Sequence, residues 1–258
     1  VCPVSFMQVF IMRLVLSVLS GSVLSVAAAA VFALPSVAKA AEISSSGAVL
    51  FTSDYLYRGI SQTDEGPALQ GSLTLSHDAG WYVSAWGSNI RFGDGSMELD
   101  ISLGRSWSLN DDWALDVGLM QYRYPEGDND ATGFNFFEGY AKLSYQDWQL
   151  GLAVTDDYFG TGVGKFWYLS AGWQQSLTEQ LQLNWHIGYN KFADAAEFQT
   201  FLGSDVRDGS GYTDWSLTLA TQQLGVDWSL GYAGTSINSA ACNALCDNRW
   251  VFSLGKSF

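Results

Sequence analysis

The chain has 258 residues, 48% of them hydrophobic and 15% aromatic, with 12 lysines and arginines against 26 aspartates and glutamates and a formal charge of -14. So acidic a chain excludes nucleic acid as a partner, because phosphate binding needs basic groups to displace counterions. Its length suits one domain preceded by an export signal.

Met12-Arg13 opens a long apolar, alanine-rich run that ends at Ala38-Lys39-Ala40. A short basic region, an apolar region and a small-x-small site describe a cleaved signal, with cleavage after Ala40. The stretch from Leu14 to Ala38 is also long enough for a membrane anchor; the A-x-A ending favours the signal. Met7 or Met12 is the expected start, which leaves Cys2 without a role. Loss of Arg13 and Lys39 takes the basic count from 12 to 10, so residues 41–258 carry about -16.

Period two then dominates the chain. Strands are predicted over 47–58, 67–77, 81–90, 96–107, 112–122 and 134–145, then over 148–156, 165–175, 180–190, 211–221, 225–234 and 249–258. In the fourth, Met97, Leu99, Ile101 and Leu103 oppose Glu98, Asp100, Ser102 and Gly104. No helical period survives there. Connections after odd-numbered strands are long and those after even-numbered strands short, as in a transmembrane barrel with short periplasmic turns and longer outer loops.

The expected fold is therefore all-β: a closed antiparallel transmembrane barrel of twelve strands, in one domain over 41–258, with both mature termini on the periplasmic side. The polar faces hold mostly Ser, Thr, Gly, Gln and Asn, which reads as a lumen. Trp81, Trp107, Trp113, Trp148, Trp173, Tyr57 and Tyr189 lie near strand ends, where rings with a polar edge prefer a membrane interface. Since a bilayer admits only sheets with closed edges, the sheet closes on itself. Phe258 ends the last strand, as is common in bacterial outer-membrane barrels.

The run Asp54-Tyr55-Leu56-Tyr57-Arg58-Gly59-Ile60-Ser61-Gln62-Thr63, followed by Pro67-Ala68-Leu69-Gln70-Gly71 and later by Trp86-Gly87-Ser88-Asn89, resembles the opening hairpins of the TorF-type porins. The likeness is strongest over roughly 41–125. It implies an outer-membrane porin-like barrel and supplies neither a substrate nor catalytic residues.

With Ser72 and Thr74 inward, the charged pore-lining candidates are Asp54, Arg58, Glu98, Asp100, Asp116, Glu138, Lys142, Asp214, Asp227 and Arg249. Seven are acidic and three basic, a lining that favours cations; alternatively the opposite charges pair and hold a plugged barrel together. Arg58 is expected at the outer rim, paired with Asp54 or Asp100. Cys242 and Cys246 share a polar loop and can form a small disulfide in an exported chain; two thiols with no histidine near them in sequence make an incomplete metal set.

Glu126 to Asp130 lacks the spacing of a calcium loop and reads as solvated surface. A serine hydrolase on the lipid face needs a histidine beside a serine. His77 is expected with the outward set at a periplasmic end, His186 on the polar face, and neither has a convincing serine. The function expected is passive diffusion of small hydrophilic, cationic solutes across the bacterial outer membrane by a non-enzymatic monomer. Its partners are lipid, lipopolysaccharide and solute, without cofactor or metal. The alternative is a closed structural or adhesive barrel, because inward Phe136, Tyr140, Phe166, Tyr168, Tyr82 and Trp86 are bulky enough to block the lumen.

Overall fold

The computed structural model describes residues 42–93, 95–125, 131–203 and 209–258. Twelve antiparallel strands form one closed barrel: β1 (Ile43–Thr52), β2 (Ala68–His77), β3 (Trp81–Phe92), β4 (Gly95–Ser108), β5 (Trp113–Arg123), β6 (Phe136–Tyr145), β7 (Trp148–Thr155), β8 (Phe166–Ser176), β9 (Leu181–Lys191), β10 (Gly211–Gln223), β11 (Val226–Thr235) and β12 (Arg249–Ser257). Each strand pairs with its neighbours in sequence, and β1 closes the ring against β12, Ala48 opposite Ser257 and Thr52 opposite Ser253. No edge is left unpaired, which is the condition for a sheet to sit in lipid.

Period-two alternation decides which face is which. On β4, Leu103 is 54% exposed and the adjacent Ser102 only 4%. Leu69, Leu119, Phe137, Leu150, Leu169, Ile187 and Leu230 likewise point outward. A soluble sandwich would bury that face; here it is the outside. Rings cluster at strand ends, Trp113 against Tyr145 at 4.5 Å and Trp148 stacked on Trp173 at 5.3 Å, both at the end with the short connections.

Two boundaries differ from expectation. The first strand stops at Thr52 rather than continuing to residue 58. The connection after β3 is also short, because the ladder runs on to Phe92 opposite Gly95 with a register shift between Asn89 and Phe92. The long connections, 53–67, 124–135, 156–165, 192–210 and 236–248, all lie at one end of the barrel, and both β1 and β12 have their free ends at the other. The 192–210 connection contains the one α-helix among the described residues, α1 (Ala195–Leu202). Asp194 caps its first turn by accepting from the Glu197 amide, and Gly203 ends it in the left-handed region.

Candidate functional site

After Thr52 the chain leaves the barrel wall and enters the lumen. Asp54 organises this reversal. Its Oδ1 accepts hydrogen bonds from the Ser61 hydroxyl (2.7 Å) and the Thr63 hydroxyl (2.9 Å), and its Oδ2 pairs with Arg249 Nη1 at 2.8 Å on β12. Leu56–Tyr57 and Ile60–Ser61 pair as a two-residue ribbon whose turn contains Arg58 (φ 48°) and Gly59 (φ 80°). A side chain on Gly59 would meet Thr235 and Asp214, so only glycine suits this left-handed, crowded corner. The segment is tied to its surroundings through Ser61 N–Leu245 O (2.9 Å) and Arg91 N–Gln62 O (2.7 Å).

At the tip, Arg58 Nη2 donates to Glu138 Oε2 on β6 at 2.6 Å, with both side chains about 5% exposed. Rings surround the guanidinium: its Cζ lies 4.2 Å from the Tyr168 centroid, 4.9 Å from Tyr57, 5.0 Å from Phe166 and 5.4 Å from Tyr158. Burial pulls the Arg58 value down, but the Glu138 carboxylate opposite it prevails and holds the guanidinium charged. Glu138 also accepts from the Tyr122 hydroxyl at 3.2 Å, which in turn accepts from Tyr57 at 3.1 Å.

Above this latch an aromatic layer fills the long-loop end. Tyr158 stacks on Phe166 at 3.9 Å, Tyr122 on Phe136 at 4.3 Å, and Phe198 of α1 on Phe192 at 4.9 Å. Phe159 holds φ at 57°, a costly value for a phenylalanine, and is buried among Tyr57, Phe92, Tyr124 and Phe136. Burial pushes the hydroxyls of Tyr55, Tyr57, Tyr124 and Tyr158 up, so all stay neutral. This layer is the main buried hydrophobic cluster among the described residues; connections supply Tyr124, Tyr158, Phe159, Val163, Phe192 and Phe198, and strands supply Ile90, Tyr122, Phe136, Phe166 and Tyr212.

Below the layer the barrel holds an open vestibule of about 580 Å³, reaching from Tyr55 and Tyr57 at its roof to Ser76, Gly80 and Ser106 at the short-turn end. Its wall belongs to β2–β6 and presents Ser72, Thr74, Ser84 and Ser102 with Asp100, Asp116 and Lys142. Of the rings that raised the alternative of a blocked lumen, Tyr82 and Tyr140 line the vestibule, whereas Phe136 and Phe166 belong to the aromatic layer above it and Tyr168 packs against that layer. The Tyr82 ring occupies the space a side chain on Gly104 would need, and the Tyr140 ring does the same over Gly118. Lying flat on the wall, the two hydroxyls meet at 2.5 Å and Tyr82 donates to Asp116 Oδ1 at 2.9 Å.

The ten charged candidates all have side chains on the inner side of the barrel wall, but at different levels. Asp54, Arg58, Glu138 and Arg249 anchor the inturned segment. Arg58 pairs with Glu138, not with Asp54 or Asp100 as expected, because the early end of β1 lets its tip cross the lumen to β6. Glu98 is almost fully buried and accepts from Tyr124 at 3.2 Å. Asp100 and Asp116 border the vestibule with Lys142, which lies 5.1 Å from the Tyr140 ring. Asp214 accepts from Tyr168 (3.2 Å) and Asn190 (2.7 Å) and meets His186 Nε2 at 3.1 Å. Asp227 accepts from Gln222 at 2.7 Å near the short-turn end.

His77 borders the vestibule rather than the outer face, and its Nδ1 accepts from the Ala79 amide at 2.9 Å. Cys242 and Cys246 are joined as a disulfide in the 236–248 loop. The run 126–130 lies outside the described residues. Sequence reasoning missed Tyr158, Phe159, Phe192, Phe198 and Phe201. The available signal was aromatic residues in loops assumed to be solvated, where large apolar rings have no reason to be unless they pack.

The family model described as "Bacterial protein of unknown function (Gcw_chp)" matches residues 37–258, and the chain belongs to that family. No curated protein matches the sequence. Among solved structures, the KdgM porin superimposes with a TM-score of 0.54 at 9% identity, covering 83% of this chain and 99% of that one. A KdgM porin in complex with disordered oligogalacturonate does so at 0.53 and 10%, covering 83% and 99%. At that identity the likeness establishes the fold: a porin-type barrel.

Proposed function

We propose that this Gcw_chp family member is a bacterial outer-membrane channel of the porin type, related to the TorF-type porins, that passes small hydrophilic solutes with a preference for cations. The observation that carries the reading is the division of the lumen. A hydroxyl-lined vestibule runs up from the short-turn end, and what closes it is an inturned loop under an aromatic cover to which both the connections and the strand ends contribute. Loops can be displaced on timescales that strands cannot match.

The charge balance supports the cation preference. Arg58–Glu138 and Arg249–Asp54 neutralise each other. Asp100 and Asp116 then border the vestibule against Lys142, with Glu98, Asp214 and Asp227 buried on the inner side, a balance of acid over base that favours cations. A polyanion such as the oligogalacturonate held by the KdgM porin suits this lumen poorly. In this reading the short turns and both termini face the periplasm, lipid and lipopolysaccharide surround the apolar belt, and the barrel works as a monomer without cofactor or catalysis.

The test is single-channel recording of refolded residues 41–258 in a planar bilayer, with a salt-gradient reversal potential. Brief openings that reverse toward the cation potential are expected; reversal toward chloride overturns the selectivity. A second reading, a permanently plugged structural barrel, is favoured by the depth of the aromatic layer. It prevails if correctly folded barrels stay silent both as wild type and after removal of the Glu138 charge.

A further inference from the structure

The cage around Arg58 has two halves. Tyr57 and Tyr158 arrive with the loops 53–67 and 156–165, but Glu138 on β6 and Phe166 and Tyr168 on β8 belong to the barrel wall. When the inturned segment moves away, the wall half remains: one carboxylate and two ring faces around a space shaped for a planar cation. Tyr168 is held in place independently of Arg58, since its hydroxyl bonds His186 Nε2 at 2.9 Å and Asp214 Oδ1 at 3.2 Å. Carboxylate plus ring faces is the chemistry that recognises a guanidinium, which stacks on π-systems and is more weakly hydrated than an ammonium.

Arg58 fills this site imperfectly. Its Nη1 is buried with no well-formed hydrogen bond, only the Tyr158 hydroxyl interacting with the guanidinium from the loop side, and its backbone sits at φ 48° beside Gly59 at φ 80°. A free solute carries no such backbone constraint and can turn to satisfy its donors. The site also lies on the route through the barrel, since Tyr57, part of the cage, is part of the vestibule roof.

We propose that Glu138, Phe166 and Tyr168 form a binding site for a guanidinium-bearing solute, that Arg58 occupies it as an internal ligand in the closed barrel, and that such a solute opens the barrel by displacing the 53–67 segment. The displacement rests on the channel reading above; the binding does not. Because Arg58 competes from within the same molecule, the wild type requires a higher solute concentration than a barrel lacking it.

The binding test uses ethylguanidinium chloride, a truncated arginine side chain, against equimolar sodium chloride. The R58A barrel is expected to bind ethylguanidinium by calorimetry, and R58A/E138Q at least tenfold more weakly. In the wild type, ethylguanidinium is expected to speed limited chymotryptic cleavage after Tyr57 and to raise open probability, each with a half-maximum above the R58A dissociation constant. Absence of binding to R58A, or binding undiminished by E138Q, overturns the site. Should R58A fail to fold, the wild-type cleavage assay decides: no dependence on ethylguanidinium overturns the proposal. Binding to R58A with every barrel electrically silent upholds the site and overturns the channel reading instead.

Discussion

Replacing Glu138 by Gln separates a latch from a merely structural pair. In the closed barrel Arg58 and Glu138 are 2.6 Å apart with side chains 6% and 5% exposed, so solvent screens their attraction little. Gln keeps the shape and one acceptor oxygen but leaves a buried guanidinium without its counter-charge. Removing one partner of such a pair costs about 3–5 kcal/mol. If the segment can leave the lumen, Arg58 regains water in the open state, and that cost falls on the closed state alone. At about 1.4 kcal/mol per tenfold change, the closed-to-open ratio falls by roughly a hundredfold to a few thousandfold, less whatever the ring contacts of Tyr57, Tyr158, Phe166 and Tyr168 retain. Planar-bilayer recording of the E138Q barrel should show prolonged openings where the wild type shows rare ones. If instead the cost appears as a lowered unfolding midpoint while openings stay as rare as in the wild type, the segment is part of the folded core and the latch argument fails.

Three further substitutions probe other levels of the structure. Gly104→Ala puts a methyl group where the Tyr82 ring lies; the ring must swing into the vestibule at a cost of about 1–3 kcal/mol, and single-channel conductance measured in the E138Q background should fall. Leu103→Arg, at a strongly exposed position in the middle of β4, should destabilise the barrel by about 2–4 kcal/mol if that face meets the bilayer midplane, read from denaturant unfolding in liposomes; an unchanged midpoint would mean the face is not in lipid. Cys242→Ser removes a short cross-link worth roughly 2 kcal/mol by loop-closure entropy. It should loosen the 236–248 loop, whose Leu245 carbonyl receives the Ser61 amide, and so raise opening frequency while lowering the barrel's unfolding free energy by no more than that amount.

The barrel itself was legible because its two faces are set by solvent alone. Along the strands the strongly exposed apolar residues fall on alternate positions, and a register slip of one residue would turn Leu99, Ile101 and Leu103 inward and Glu98 and Asp100 into lipid. That penalty repeats along the whole ring. Twelve strands and the inward set of charges follow from it. The chain's alternation also runs past Thr52, through Tyr55, Tyr57 and Arg58, and there it misleads. Two-residue periodicity describes an extended backbone; whether a ladder partner exists beside it depends on where β2 and β12 end. Thr52 opposes Ala68, where β2 begins, and Ser253; β12 runs on to Arg249, but after the Ser53 N–Phe252 O bond it is the chain of β1 that leaves the ladder.

What happens next is decided by contacts far apart in sequence. Asp54 has three partners, two of them within ten residues and one, Arg249, on the last strand. Arg58 reaches Glu138 across the lumen. No local pattern couples these positions, and pairing by nearest neighbour on the same face leads to Asp54 or Asp100, the wrong carboxylates. The Asp54-to-Thr63 run that most resembles a known family is therefore not barrel strand at all; it is the segment that turns inward and fills the mouth. Its residue types fit that work: an acid that caps a reversal through two hydroxyls, a tyrosine to roof the vestibule, an arginine for the cage, and a glycine where no side chain fits against Thr235 and Asp214. Ordinary strand residues would build the same barrel without this run, and its mouth would have neither latch nor site.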